Sequence, residues 1–325
     1  MFNSYIMLCM NSTKTRLKSA IILFAIIIPF FFITYFAKTP GKIIGTIFFA
    51  TFSVWATFEI VKHNKLNIVL NVFISLLTIF VWIFPLNESK ETYLTLYSNQ
   101  TSLVRDDLIQ MLKLLIWGYD NLTHMYVVYI AIIFVVITII FLINIKKYSS
   151  VKQFLIHYLI TFFVLWYIPL FSKIIFIHNV ANPFFILCMF AVPIVVDTSG
   201  YFVGKAFGHA VFQKKFAPHI SPKKTWEGAI GSYLLGALFV ILLFCIPGVV
   251  SYNSSIAYYL STTQIVLATL LLPAISIIGD LLFSLIKRLQ QIKDFSNLIP
   301  GHGGLMDRFD SVSLVAIVAS IIFVI

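Results

Sequence analysis

Charge is what this sequence has least of. Only 11% of its 325 residues are Asp, Glu, Lys or Arg, while 60% are apolar; a soluble domain carries about 25% and about 45–50%. So few charges cannot build a water-facing surface, which excludes a soluble globular protein. Cysteine is scarce as well. Cys9, Cys188 and Cys245 are odd in number and far apart, which argues against a disulfide framework and against a zinc site. Acid is scarcer than base, with twelve Asp and Glu against 23 Lys and Arg and a net charge of +11. In a soluble protein that balance would suggest nucleic acid. Here the basic residues sit in short segments between apolar runs, as cytoplasmic loops facing anionic headgroups do, and no nucleic-acid partner is expected. No internal repeat or low-complexity linker is present.

Long apolar runs dominate what remains. A helix rises 1.5 Å per residue, so roughly 20 residues cross a hydrocarbon core of about 30 Å. Nine spans are predicted, over 19–37, 43–61, 68–86, 125–145, 153–171, 181–200, 228–250, 263–286 and 306–325. The first follows Lys14, Arg16 and Lys18 but is longer than the about 7–15 apolar residues of a secretory signal and lacks a small-residue cleavage site. It is read as a retained helix. With the N-terminus inside, the inner segments 1–18, 62–67, 146–152, 201–227 and 287–308 hold 3, 2, 3, 5 and 4 basic residues, 17 of the 23. The outer six are Lys38, Lys42, Lys90, Arg105, Lys113 and Lys173. That inward bias supports a cytoplasmic N-terminus. The fold class is therefore an all-α, polytopic integral membrane protein, with N-terminal helices over 1–180 and a catalytic region over 181–325. The one long outer segment, 87–124, carries an amphipathic stretch around Asp107–Trp117, read as a short interfacial helix.

Acidic residues in or against a span cost about 2.5–3.5 kcal/mol each at mid-helix on insertion scales, so they need a reason. Glu59, Asp197, Asp280, Asp307 and Asp310 are in that position, at the predicted cytoplasmic ends, and four of the five follow residue 195. Glu59 precedes Lys62 by three residues, and a helical ion pair accounts for it. Asp280, Ser284, Lys287 and Arg288 fall at i, i+4, i+7 and i+8, forming one polar stripe that faces protein or water. An interhelical salt-bridge network, in which Asp280 could pair with Lys287 on the same face, and a functional site are both open readings of it. Pro300-Gly301-His302-Gly303-Gly304 is a turn whose backbone N–H groups can approach an anion. It leads into Asp307-Arg308-Phe309-Asp310 at the start of the last helix. Two carboxylates beside Arg308, with a third from Asp280, exceed what a cap requires. Grouped hard oxygens suit Mg²⁺, which takes one or two carboxylates plus substrate phosphates.

A second cluster contains Asp197-Thr198-Ser199-Gly200-Tyr201 and Ser221-Pro222-Lys223-Lys224-Thr225-Trp226-Glu227-Gly228. Between them, Lys205, Lys214 and Lys215 read as headgroup-binding, and His209 and His219 as loop residues. Lys223 and Lys224 directly precede a predicted helix start, a phosphate-binding arrangement.

Ser284-Leu285-Ile286-Lys287-Arg288, then Lys293-Asp294, Ser296, Ile299-Pro300 and His302 through Asp310 resemble the signature of the phosphatidate cytidylyltransferase family, with no departure at a fixed position. The Asp197 and Ser221–Gly228 segments resemble that family too, so the likeness covers roughly 182–325. Ser199-Gly200 stands where family members often have Gly-Ala, and the 87–124 segment is longer than the family leads one to expect. The resemblance implies transfer of a cytidylyl group from CTP to phosphatidate with release of pyrophosphate, in phospholipid biosynthesis. It implies Mg²⁺, often with a monovalent cation such as K⁺, and a homodimer. It also implies that Asp280 and Asp307 hold the metal with Asp310 nearby, and that Ser221, Lys223, Lys224, Lys287 and Arg288 engage phosphates. Ser284, Asp197, Arg308, Gly303, Gly304 and His302 complete the candidate substrate site; His302 either donates to a phosphate or fills the turn. Two other classes remain open: a CTP-dependent polyprenol or phytol kinase, and an ion-coupled transporter with intramembrane carboxylates.

Overall fold

A computed structural model of the chain describes residues 21–83, 96–97, 105–116, 125–244, 260–299 and 303–325. It is a helical membrane protein. The first three helices are α1 (Ile21–Phe36), α2 (Lys38–Val61) and α3 (Ile68–Leu76), which continues through a 3₁₀ turn (Leu77–Ile79) into α4 (Phe80–Ile83). They are followed by α5 (Arg105–Ile116), α6 (Met125–Ile143), α7 (Val151–Ala181) and α8 (Pro183–Phe207). A hairpin of β1 (Lys215–Ala217) and β2 (Ser221–Thr225) precedes α9 (Trp226–Phe244), α10 (Thr262–Leu289) and α11 (Met306–Val324). Five of these, α2, α7, α8, α9 and α10, are long and apolar enough to cross a bilayer, and α1, α3–α4 and α6 supply shorter apolar helices.

Local signals set the helix starts. Ser150 accepts from Gln153 N at α7, and Asn182 accepts from Phe184 N and Phe185 N with Pro183 at the first position of α8. A reciprocal capping box of Ser261 and Gln264 opens α10. Each satisfies backbone donors that a helix start leaves unpaired.

α7 is the central helix. In its most apolar stretch 83% of residues are buried, as expected of a helix apolar all round. It packs against α2, α5, α6 and α11. Interhelical hydrogen bonds tie it in: Tyr167 to Ser313 at 2.8 Å, His178 to Ser320 at 2.7 Å and Ser172 to the Phe49 carbonyl at 2.8 Å. α7 also runs ten residues past the end predicted at 171. Lys173, counted among the outer basic residues, is buried, donates to the Val81 carbonyl at 2.8 Å and lies over the Trp82 ring. Lys42 is likewise buried inside α2. Two of the six lysines and arginines assigned to outer loops are therefore interior.

The amphipathic α5 forms as predicted, and its apolar face is buried by protein. Leu108, Met111, Leu112 and Leu115 are covered, with α7 and α11 as neighbours. The hairpin is an addition to the all-α expectation. Pro222 and the flanking lysines extend the chain, and β2 runs straight into α9.

Candidate active site

Four of the five segments predicted to lie on one side of the membrane meet at one end of the bundle; the fifth, 1–18, lies outside the described residues. Lys65 reaches Ser149, His63 bonds the Phe295 carbonyl at 2.7 Å, and Arg288 bonds the Ile220 carbonyl at 3.3 Å. The polar stripe of α10 opens into this end.

Asp280 forms no pair with Lys287. Its partner is Lys224 of β2, at 2.5 Å, and it accepts from Ser284 Oγ at 3.3 Å. Lys287 reaches across to α11 and donates to Asp307 Oδ1 at 2.9 Å, with Asp310 Oδ2 at 3.9 Å and the Phe295 ring beneath it. The stripe therefore takes part in a salt-bridge network between elements, as its sequence allowed, with partners on β2 and α11 in place of an Asp280–Lys287 pair.

Asp307 is almost wholly buried, and its second oxygen accepts from Phe295 N at 2.9 Å and Gly304 N at 2.8 Å. One carboxylate thus joins α10, the signature loop and the first turn of α11. Gly303 is needed here on two counts. Its φ of 85° favours glycine, and a Cβ would fall 2.8 Å from Asp307 Oδ2. Asp310 accepts from Ser311 N at 2.8 Å. Arg288 is turned toward the hairpin and the Ile292 carbonyl, away from the carboxylates, so it pins two loops together. Pro300, Gly301 and His302 lie outside the described residues.

Two cavities meet at this centre. The first, about 510 Å³, is lined at one side by Leu23, Phe24, Ile27 and Phe31 of α1 and Phe190 of α8, and at the other by Asp197, Asp280, Lys287, Asp307, Arg308 and Asp310. The second, about 430 Å³, is lined by Tyr201, Lys205, Lys223, Lys224, Gly228 and Ser232. Asp197 and Asp280 line both. The charges of Asp280 and Asp310 both act on Asp197, so the carboxylates share one electrostatic environment. Lys205, read as headgroup-binding, lies on the second cavity, and Ser221 stands at the start of the strand that carries Lys223 and Lys224.

The donor chemistry fits a hard divalent cation. Among the described residues no three Asp, Glu, His or Cys side chains converge as a ready cage. Mg²⁺ does not need one, because it is usually held by one or two carboxylates and substrate phosphates. The lysines already at Asp280 and Asp307 show that both oxygen sets accept a cation.

Glu59 is the residue sequence reasoning missed. It is buried and makes no ion pair with Lys62 among the described residues; it accepts from Ser296 Oγ at 2.7 Å, Met306 N at 3.0 Å and Trp55 Nε1 at 3.3 Å. Its acidic character in an apolar helix was the available signal, but the partners lie 237 and 247 residues away. His63, in the loop after α2, is held below its ordinary pKa of 6.5, chiefly by burial. It is neutral at pH 7, and since a carbonyl can only accept, Nε2 carries the hydrogen toward Phe295.

Fold and site together define a polytopic membrane enzyme with a carboxylate–lysine centre at one end of its bundle. A model of the cytidylyltransferase family matches residues 66–325, and the chain belongs to that family, a nucleotidyltransferase family. The match starts well before residue 182, so the helices from α3 onward are part of the family architecture. The phosphatidate cytidylyltransferase of Haemophilus influenzae is 38% identical over 130 residues, which is 40% of this chain and 42% of that protein. The Rickettsia typhi phosphatidate cytidylyltransferase is 34% identical over 171 residues, 53% and 72% of the two chains. For the one from Pseudomonas aeruginosa the values are 39% over 117 residues, 36% and 39%. The chain thus spans less than half the length of two of these three relatives.

Proposed function

We propose that this protein is a phosphatidate cytidylyltransferase, making CDP-diacylglycerol and pyrophosphate from CTP and phosphatidate for phospholipid synthesis. One observation carries the reading. A cavity with an apolar side on α1 and α8 and a basic cavity beside β2 share Asp197 and Asp280 as a common wall. A membrane lipid with a phosphate headgroup suits the first, and a nucleoside triphosphate suits the second. The relatives' names supply the identity of the substrates.

In the proposed reaction a phosphate oxygen of phosphatidate attacks the α-phosphorus of CTP in line. A new P–O bond forms, and the bond to the β-phosphate oxygen breaks with its electron pair leaving on pyrophosphate. A phosphate monoester is already largely anionic near pH 7, so little base catalysis is required. The obstacle is repulsion between two anions, and positioned charge is what the site provides. Ser221, Lys223 and Lys224 would hold the triphosphate, while Lys287 and Arg308 would meet the lipid phosphate. Asp280 and Asp307 would hold Mg²⁺ with Asp310 beside them, Lys224 and Lys287 turning from these carboxylates to the phosphates. The bound cation would neutralise phosphate charge as the bond order shifts. Asp197 would keep the wall between the two cavities polar. The site lies on the cytoplasmic face of a bacterial inner membrane in this reading, because the loops gathered around it carry most of the chain's basic residues.

The test is a detergent-solubilised assay with phosphatidate and CTP labelled either in the base or in the γ-phosphate. Base label in the lipid product, dependent on Mg²⁺, is the expected result. γ-Label alone in the lipid would assign a lipid kinase, and no label in lipid would overturn the proposal.

A further inference from the structure

The geometry points to Glu59 and His63, at the C-terminal end of α2, as positioning residues that hold both limbs of the signature loop and so set the place of Asp307. The inference rests on the nucleotidyl-transfer reading for its catalytic consequence, but the contacts themselves are independent of it. Both residues precede the family match, which begins at residue 66.

Both carboxylate oxygens of Glu59 are committed to the loop. Oε1 accepts from Ser296 Oγ at 2.7 Å on the first limb, and Oε2 accepts from Met306 N at 3.0 Å at the end of the second. Met306 opens α11, whose N-cap residue Leu305 offers no side-chain cap. The first N–H groups of a helix lack partners within it, and a negative charge there is favoured by the dipole. Glu59 therefore caps α11 from a different helix. The packing is close enough that a Cβ on Gly304 would fall 2.6 Å from Glu59 Oε2.

His63 holds the first limb by its carbonyl face. Its Nε2 donates to Phe295 O at 2.7 Å, while Phe295 N donates to Asp307 Oδ2 at 2.9 Å. One peptide residue thus links His63 directly to a site carboxylate, which in turn contacts Lys287. Partners one step removed from reacting groups typically carry about 10–100-fold of affinity or activity, and small misplacements cost heavily in positioned reactions.

The experiment uses the purified full chain, with kcat, KM for CTP and backbone hydrogen exchange measured on folded protein. Glu59→Gln should lower kcat per folded molecule by about 10–100-fold with KM for CTP changed less than about threefold, since the amide cannot accept from both Ser296 and Met306. Ser296→Ala should add little on the Glu59→Gln background, as expected of two groups sharing one contact. His63→Ala should be impaired and His63→Gln should recover most of the rate, because its amide can still donate to Phe295. Should Glu59→Gln fail to fold, the His63 pair decides the matter. Wild-type kcat in Glu59→Gln, additive losses with Ser296→Ala, or equal rates for the two His63 variants would overturn the proposal. Exchange separates the two claims. If the wild-type chain makes no CDP-lipid, the activity reading falls, and the clamp then stands on faster exchange at 303–306 in Glu59→Gln and fails if that exchange is unchanged.

Discussion

The two ends of the bundle treat buried polar groups differently. Along the C-terminal half of α7, Lys173 and His178 are each taken up by a hydroxyl or carbonyl of a neighbouring helix. Neither of them lines either of the two cavities that meet at Asp197 and Asp280. At the other end, Asp197, Asp280, Lys224, Lys287 and Asp310 face those cavities, and the two lysines pair with carboxylates across two helices and a strand. Polar residues in membrane helices are costly in both places. The difference teaches that expense alone does not mark chemistry: polar groups that satisfy one another build a scaffold, and those that converge on open space build a site.

Substitutions can break that contrast. The largest effect is expected at Asp307→Asn, which removes a partner of Lys287 and weakens the loop at once. Turnover should be lost, and thermal unfolding should drop by the equivalent of about 3 kcal/mol, the low end for breaking a buried pair. A thermal melt beside the lipid-labelling assay reads both. Lys224→Met comes next. It should raise KM for CTP by about tenfold or more, a change of roughly 1.4 kcal/mol, while leaving the melting temperature nearly unchanged because the pair is partly exposed. Lys173→Met tests the scaffold end. The flexible thioether fits the same channel, so activity should be unaltered, with a stability change of about 1 kcal/mol from the unpaired Val81 carbonyl. A loss of turnover there would erase the distinction between the two ends.

The smallest effect concerns pH. The His63 pKa is lower in the folded chain than in the unfolded one, so below about 6.5 the unfolded state binds the extra proton first and stability falls as pH falls. Above that value the histidine has no pH effect. Wild-type protein should lose stability between pH 7 and 5.5 more steeply than His63→Gln, as followed by thermal melts.

Much of the centre was legible in the sequence because it is locally encoded. The α10 stripe from Asp280 to Arg288 follows from helical periodicity, and the turn before Asp307 from its glycines. What periodicity cannot supply is the partner. Asp280 and Lys287 share a helix face, yet each pairs with a different element, because packing brings β2 and α11 closer than the intrahelical option. Glu59 looked like a local ion pair for the same reason. Lys173 looked like a loop lysine, since composition does not reveal a carbonyl 92 residues away. The hairpin was hidden by length, as strands of three and five residues leave little alternation to read.

The proposed transfer depends most on Asp280 being the carboxylate that both substrates would meet. The direct measurement is the initial rate of base-label transfer from CTP to phosphatidate across a Mg²⁺ titration, for the wild-type chain and Asp280→Asn. Rates that rise with Mg²⁺ in the wild type and stay at background throughout in the variant are the predicted result. A variant that follows the wild-type curve would contradict it.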